Sequence, residues 1–238
     1  MHTILPGRPL PLGATRCPGG VNFAFFSRHG QRAAVLLFPP DHEPVEISLD
    51  PRANRTGDIW HVFVAGLAPG VEYALRVAGA WDPAGAGHRF DGRRLLLDPY
   101  ARHLTGGERW GRPGAEHGFA RRCRLVENRY DWEGDRPLGT PLAESVIYEL
   151  HVRAFTVHPS SGVAHPGTYE GLVEKIPYLQ KLGVTAVELM PVFEFNESEI
   201  VRRDPTSGER LRNLWGYSPI GFFAPKASYA ADAADPVT

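Results

Sequence analysis

The stretch from Ser145 to Pro191 limits the folds open to this chain more than any other. Val146, Ile147, Tyr148, Leu150 and Val152 make a near-continuous apolar run too short for a buried helix, and Val184, Ala186, Val187, Leu189 and Met190 make a second. Between them Tyr169, Leu172, Val173, Ile176, Leu179 and Leu182 recur at helical spacing, after an N-cap candidate at Thr168 and before a stop at Gly183. Pro177 inside that pattern predicts a kink or a break into two short helices, because its ring clashes with the preceding turn. Strand, helix, strand in this order predicts two parallel strands joined by a right-handed crossover. Apolar runs of this kind belong to strands covered on both faces. The unit therefore fits an α/β sheet or barrel.

From about residue 10 to 79 the pattern is different. VNFAFFS (21–27), AAVLLF (33–38), VEISL (45–49), WHVFVAG (60–66) and VEYALRVAG (71–79) are β-rich, and turn residues at 39–40, 54–58 and 68–70 separate them. Such spacing predicts an antiparallel β-sandwich, immunoglobulin-like in type. Trp60 lies inside one of these strands and is assigned to the core. Residues 80–143 are rich in Gly, Pro and Arg, which predicts loops wrapped on a surface with little regular structure.

Composition removes several function classes. With 42% hydrophobic and 22% charged residues the chain is of ordinary globular type. Its formal net charge is -1 and no long one-sign block occurs, which argues against nucleic-acid and membrane-surface partners. Arg121, Arg122 and Arg124 read as a solvated linker face. Cys17 and Cys123 are too few for a disulfide framework or a cysteine metal site. The first residues show no basic region followed by an apolar core, and no run approaches transmembrane length, so a cytoplasmic location is expected. Only Lys175, Lys181 and Lys226 are lysine, an arginine bias that reads as genome composition.

IYELHVRAFT (147–156), HPGTYEGL (165–172), YLQKLGVTAVELMPVFEF (178–195) and NLWGYSPIGFFAPKASYA (213–230) resemble the opening of the catalytic barrel of the α-amylase superfamily, glycoside hydrolase family 13, of the glycogen-debranching isoamylase type. PLGATRCPGGVNFAFFS, WHVFVAGLAPGVEYALRVAG and GHRFDGRRLLLDPYAR resemble the starch- and glycogen-associated carbohydrate-binding module that precedes that barrel. The resemblance implies a multidomain arrangement: a β-sandwich module over 1–100, a linker wrapped on the surface over 101–142, and over 143–238 the start of an eight-stranded (β/α) TIM barrel. A barrel needs at least roughly 200 residues. The stretch after Leu142 is less than half of that, so about two strands and an incomplete barrel are expected.

The resemblance also implies a chemistry: hydrolysis of α-1,6-glucosidic branch linkages in glycogen, amylopectin or related malto-oligosaccharides. In retaining glycosidases a carboxylate nucleophile and a carboxylic acid about 5 Å apart flank the bond. The family carries those acids on later strands and nothing here matches them, so no catalytic residue is assigned and the isolated chain is expected to be inactive. Glu149 and Glu188 are a tempting pair, but both fall mid-strand, whereas barrel chemistry sits at the C-terminal strand ends. They read as buried carboxylates, with His151 and Arg153, in the same alternation as Glu149, as candidate partners.

Tyr217 is the best site candidate. Trp215, Gly216 and Tyr217 match a family motif whose tyrosine lines the sugar subsite beside the scissile bond; Trp215 reads equally as lining or packing. Trp81 stacks on glucan in one reading and marks a turn in the other. Some isoamylases bind calcium through the loop that corresponds to Glu194. Phe195 here replaces an oxygen-bearing side chain and one carboxylate is not a site, so neither a metal nor any other cofactor is expected. His151 and His165 read as packing residues. Two other functions remain open: a glucan branching enzyme or trehalose-releasing relative, and a non-catalytic glucan-binding fragment.

Overall fold

The computed structural model of the protein describes residues 2–40, 42–111, 121–127 and 130–233. These fall into two compact units. One holds the chain up to Gly106 with 121–127 and Gly221–Ala224; the other holds 107–111, 130–220 and 225–233. Residues 112–120, 128 and 129 of the expected linker lie outside the described residues.

The first unit contains β1 (Ile4–Leu5), β2 (Gly13–Cys17), β3 (Gly20–Phe26), β4 (Arg32–Phe38), β5 (Val45–Leu49), β6 (Arg55–Thr56), β7 (Ile59–Ala65), β8 (Glu72–Ala78), a hairpin of β9 (Trp81–Asp82) and β10 (His88–Arg89), and β11 (Cys123–Arg124). Apart from the hairpin they form two antiparallel sheets, β1-β7-β3-β2 with β6 also on β7, and β11-β8-β4-β5. Period-two alternation sends Val21, Phe23 and Phe25 of β3, Trp60, Val62 and Val64 of β7, Val35 and Leu37 of β4, and Tyr73, Leu75 and Val77 of β8 into one core. Phe23 meets Tyr73 edge-to-face at 5.1 Å, so the inner faces of the two sheets pack against each other as in a sandwich. Trp60 is fully buried and its indole N–H donates to the Ser27 carbonyl at 3.2 Å.

The five long strands appear within one residue of their predicted limits. The sequence does not announce β1, β6, β11 or the β9–β10 hairpin, whose strands of two residues are too short to show a period, nor β2, whose Gly, Thr and Arg residues carry no apolar alternation. The outer face of β3 is also covered, because Asn22 binds the N-terminal segment with both ends of its amide: Oδ1 accepts from Arg8 N at 2.7 Å and Nδ2 donates to Arg8 O at 2.9 Å. His61 Nδ1 reaches the Pro6 carbonyl at 2.8 Å. Gly7 makes this approach possible. Its φ is +79°, and a Cβ there would lie 2.6 Å from the Val62 carbonyl carbon.

The arginine run is not a solvated face. Arg122 and Arg124 reach Glu72 at 3.1 and 3.4 Å, the Arg122 guanidinium lies 3.7 Å from the Phe38 ring centroid, and Cys123 between them is buried on β8. The Cys123 thiol accepts from Asp98 N, and Asp98 accepts from the Tyr73 hydroxyl at 2.8 Å. Burial pushes the Asp98 carboxyl above the ordinary carboxylate value, in spite of the N–H and O–H groups that donate to it.

In the second unit β12 (Ile147–Leu150) and β13 (Ala186–Leu189) are parallel neighbours, with Ile147 opposite Ala186 and Leu150 opposite Leu189. Between them run α1 (Val152–Thr156), α2 (Tyr169–Val173) and α3 (Ile176–Lys181). Thr168 caps α2 by accepting from Gly171 N at 3.1 Å. Pro177 stands in the first turn of α3, where its missing N–H costs nothing, so the break falls just before it. The first apolar run ends as a strand at Leu150. His151 Nδ1 accepts from Ala154 N at 3.1 Å, caps α1 and turns Val152 and Arg153 into helix.

Two expectations fail here for the same reason. Ile147 is 54% exposed and Val187 41%, so these strands lack the cover that their composition calls for. Glu149 and Glu188 are register neighbours as predicted, but both are exposed; His151 and Arg153 have left the strand and do not pair with Glu149.

Candidate functional site

Residues 213–218 form a loop that presents two aromatic rings. Trp215 is 63% exposed and Tyr217 65%, with ring centroids 6.5 Å apart and planes at 76°. Between them Gly216 has φ +81°, and a Cβ added to it would stand 2.7 Å from the Phe195 ring. A side chain here would be forced both into the left-handed region and into that ring, so glycine is what lets the loop rest on Phe195.

Polar contacts hold the loop from several directions. Asn213 Oδ1 accepts from Gly216 N at 3.0 Å, Asn213 Nδ2 donates to Glu199 at 2.7 Å, and the Ser218 hydroxyl donates to the other Glu199 oxygen at 2.9 Å. Asn213 N donates to the Glu197 carbonyl at 2.9 Å. His151 Nε2 stands 2.7 Å from the Leu214 carbonyl, a contact that requires the proton on Nε2 and agrees with Nδ1 accepting from Ala154 N. The exposed aromatic pair therefore sits on a preorganised support and has the character of a stacking platform.

Beneath the loop lies a buried cluster of Val152, Phe195 and Tyr229, with Trp110, Tyr169, Leu172 and Val192 packed against it. Phe195 belongs to a short strand, β14 (Phe193–Phe195). Lys226 points into this cluster and is fully buried. Its ammonium donates to Glu194 Oε1 at 2.9 Å, Glu197 Oε2 at 2.8 Å and the Phe195 carbonyl at 3.0 Å, which uses all three of its protons. Glu194 Oε2 accepts from Ala227 N at 2.8 Å and Glu197 Oε1 from Gly111 N at 2.9 Å. Burial pushes the Glu197 carboxyl up, but the Lys226 ammonium and the Gly111 N–H outweigh it and hold the carboxyl below its usual range.

This arrangement does not suit calcium. A hard cation takes six to eight oxygen ligands. Here Glu194 is committed to an ammonium, Phe195 offers only its carbonyl, and Lys226 brings a positive charge to within 3.0 Å of each available oxygen. Among the described residues no group of three or more His, Cys, Asp and Glu side chains could hold a metal ion.

The structure brings Trp215 and Tyr217 together on one loop and places His151 beneath it as a packed, hydrogen-bonded residue. His165 differs from its expected packing role: its side chain is exposed and only its backbone is engaged, with the carbonyl accepting from Thr168 Oγ1. In the first unit Trp81 is 63% exposed and pairs with Arg89 across the β9–β10 hairpin, on the strand that leads into the turn at 83–86. Lys226, Glu197 and Trp110 were not singled out by the sequence. The one available signal was a lysine in an apolar context, GFFAPKASYA (221–230), within a chain that mostly uses arginine.

Residues 11–101 match the family of carbohydrate-binding module 48, the isoamylase N-terminal domain. Isoamylase 1, chloroplastic, of Oryza sativa subsp. japonica is 43% identical over 237 residues, which are 96% of this chain and 29% of that protein. Glycogen debranching enzyme of Klebsiella pneumoniae subsp. pneumoniae is 40% identical over 245 residues, 98% of this chain and 36% of that protein. Among solved structures, pullulanase from Paenibacillus barengoltzii in complex with maltohexaose and alpha-cyclodextrin aligns with a TM-score of 0.71 at 27% identity, covering 96% of this chain and 34% of that one. The chain thus spans about a third of the length of the relatives it matches. Among the described residues no helix is long and apolar enough to cross a membrane.

Proposed function

Since the chain is homologous over nearly its whole length to the N-terminal regions of isoamylases and glycogen debranching enzymes, and carries their family 48 carbohydrate-binding module, we propose that it is the N-terminal part of an enzyme that hydrolyses α-1,6-glucosidic branch linkages in glycogen- or starch-like glucans. The observation that carries this reading is the Trp215-Gly216-Tyr217 loop, whose two aromatic faces are exposed while its backbone is pinned on Phe195, Asn213 and Glu199. A pyranose ring stacks on such a face without requiring the loop to rearrange, which spares the ordering cost of binding.

The reading divides the chain into a sandwich module over 1–100, a linker over 101–142 and the opening of a (β/α) barrel over 143–238. The parallel pair β12–β13, with helices between its strands, supports the last of these. In this reading Tyr217 lines the subsite beside the scissile bond, Trp215 flanks it, and Trp81 offers a separate contact to glucan on the sandwich. The two carboxyl groups that a retaining mechanism requires belong to the whole enzyme, and the chain alone binds without turnover. The reading includes a cytoplasmic location, supported by the free thiols of Cys17 and Cys123.

Two assays test it. The chain titrated with maltohexaose in a calorimeter is expected to bind, Tyr217→Ala to bind several-fold more weakly, and neither to release reducing ends from branched limit dextrin. A longer protein carrying this chain is expected to release linear chains from the same dextrin. New branch points in the product would favour the branching-enzyme reading instead, and reducing ends released by the chain alone would overturn the division of labour.

A further inference from the structure

Glu194, Phe195 and Glu197 turn three oxygens inward onto one point, and Lys226 Nζ occupies that point at 2.8 to 3.0 Å from each. The Phe195 ring lies 4.7 Å and the Trp110 ring 5.8 Å from the ammonium, so aromatic faces close the sides of the cage. The second oxygen of each carboxylate is held by a main-chain N–H, from Ala227 and from Gly111. Two carboxylates this deeply buried would repel each other strongly without a cation between them. We propose that the Lys226 ammonium is the resident cation of this cage, in the loop region through which some isoamylases bind calcium, and that it positions the Trp215–Tyr217 loop through Phe195.

The route from the cage to the loop is short. Lys226 holds the Phe195 main chain through its carbonyl, the Phe195 ring supports Gly216, and the Glu197 carbonyl accepts from Asn213 at the start of the loop. A tethered ammonium does this without a dissociation equilibrium, so the loop geometry does not depend on the supply of metal. This inference is independent of whether the loop stacks on sugar.

Lys226→Ala removes the charge and opens the space that the ammonium fills, so that a cation with its own waters can enter between the two carboxylates. The native chain is expected to melt at the same temperature in EDTA and in calcium. The variant should melt about 10 °C lower in EDTA, because a buried pair has lost its cation. It should regain a good part of that loss in millimolar calcium, which then binds only the folded state. Terbium, used as a luminescent stand-in for calcium, should show Trp-sensitised emission in the variant and none in the native chain. Amide exchange at Gly216 and Tyr217 should be faster in the variant and slow again on adding calcium, with β3 and β7 unchanged. In the double variant Lys226→Ala, Glu197→Gln the calcium response should vanish. A native chain stabilised by calcium overturns the proposal. So does a single variant that fails to respond to calcium, whether it is folded in EDTA or stays unfolded in both conditions.

Discussion

The antiparallel sheets of the first unit and the parallel pair β12–β13 of the second are written in the same kind of sequence, runs of Val, Leu, Ile and aromatic residues, and they end in opposite states. Val35 and Leu37 of β4 disappear beneath a facing sheet, whereas Ile147 and Val187 remain open to solvent. The cause is neighbours, not composition. β4 lies inside its sheet between β8 and β5, while among the described residues β12 and β13 have only each other as ladder partners. Each therefore keeps an unpaired edge, a template for pairing with another strand. An apolar run states that a strand requires cover; it does not state which segment or molecule supplies it.

Trp60 is where the contrast is expected to be largest. Trp60→Ala empties a site at the centre of the sandwich and should cost about 3–5 kcal/mol, read from the urea midpoint. Glycine separates the units less sharply. Gly216→Ala meets both a left-handed φ and the Phe195 ring and should cost about 2 kcal/mol. Gly66→Ala in the first unit has a similar φ but open space around it, and should cost about 1 kcal/mol. Equal costs at the two glycines would mean that Phe195 does not support the loop.

Buried carboxylates sharpen the comparison through pH. Asp98 is raised by burial, so its contribution to stability is present below its unfolded pKa and is lost as pH rises through its folded pKa. Glu197 is lowered by Lys226 against the pull of burial, so its contribution is present above its unfolded pKa and is lost as pH falls through its folded one. Urea unfolding from about pH 3 to pH 7 should therefore lose part of its acid-side decline in Glu197→Gln, and part of its decline with rising pH in Asp98→Asn. Slopes that match the native chain would refute these assignments. The smallest effect is expected at Val187, where truncation to Ala should change the midpoint by no more than about 0.5 kcal/mol. A loss as large as that at Trp60 would show that β13 is covered in solution.

The two units also differ in how much of them the sequence makes legible. The five long sandwich strands stand out because one face of each is apolar at period two and turn residues end it, and β12 and β13 stand out as apolar runs. β2 does not, since Ala14, Thr15 and Arg16 pair through their backbone with β3 and bury little. The end of β12 is misread because Val152 continues the apolar run, while the structure decides on helix through the His151 cap. At the candidate site, Trp215 and Tyr217 are legible as a motif. The cage beneath is not, because Lys226 and Glu194 are 32 positions apart and no local pattern states that a lysine will be fully buried. Likewise Arg122 and Arg124 look like a hydrated run, yet Glu72 and Phe38 draw them onto the sandwich.

The way Asn22 and His61 fasten Pro6 and Arg8 has a practical result for anyone excising the first unit. The family match begins at residue 11, but a piece cut there would leave a carboxamide and an imidazole on the sheet with their tethers gone. The working boundary lies upstream of Ile4, where β1 still closes against β7.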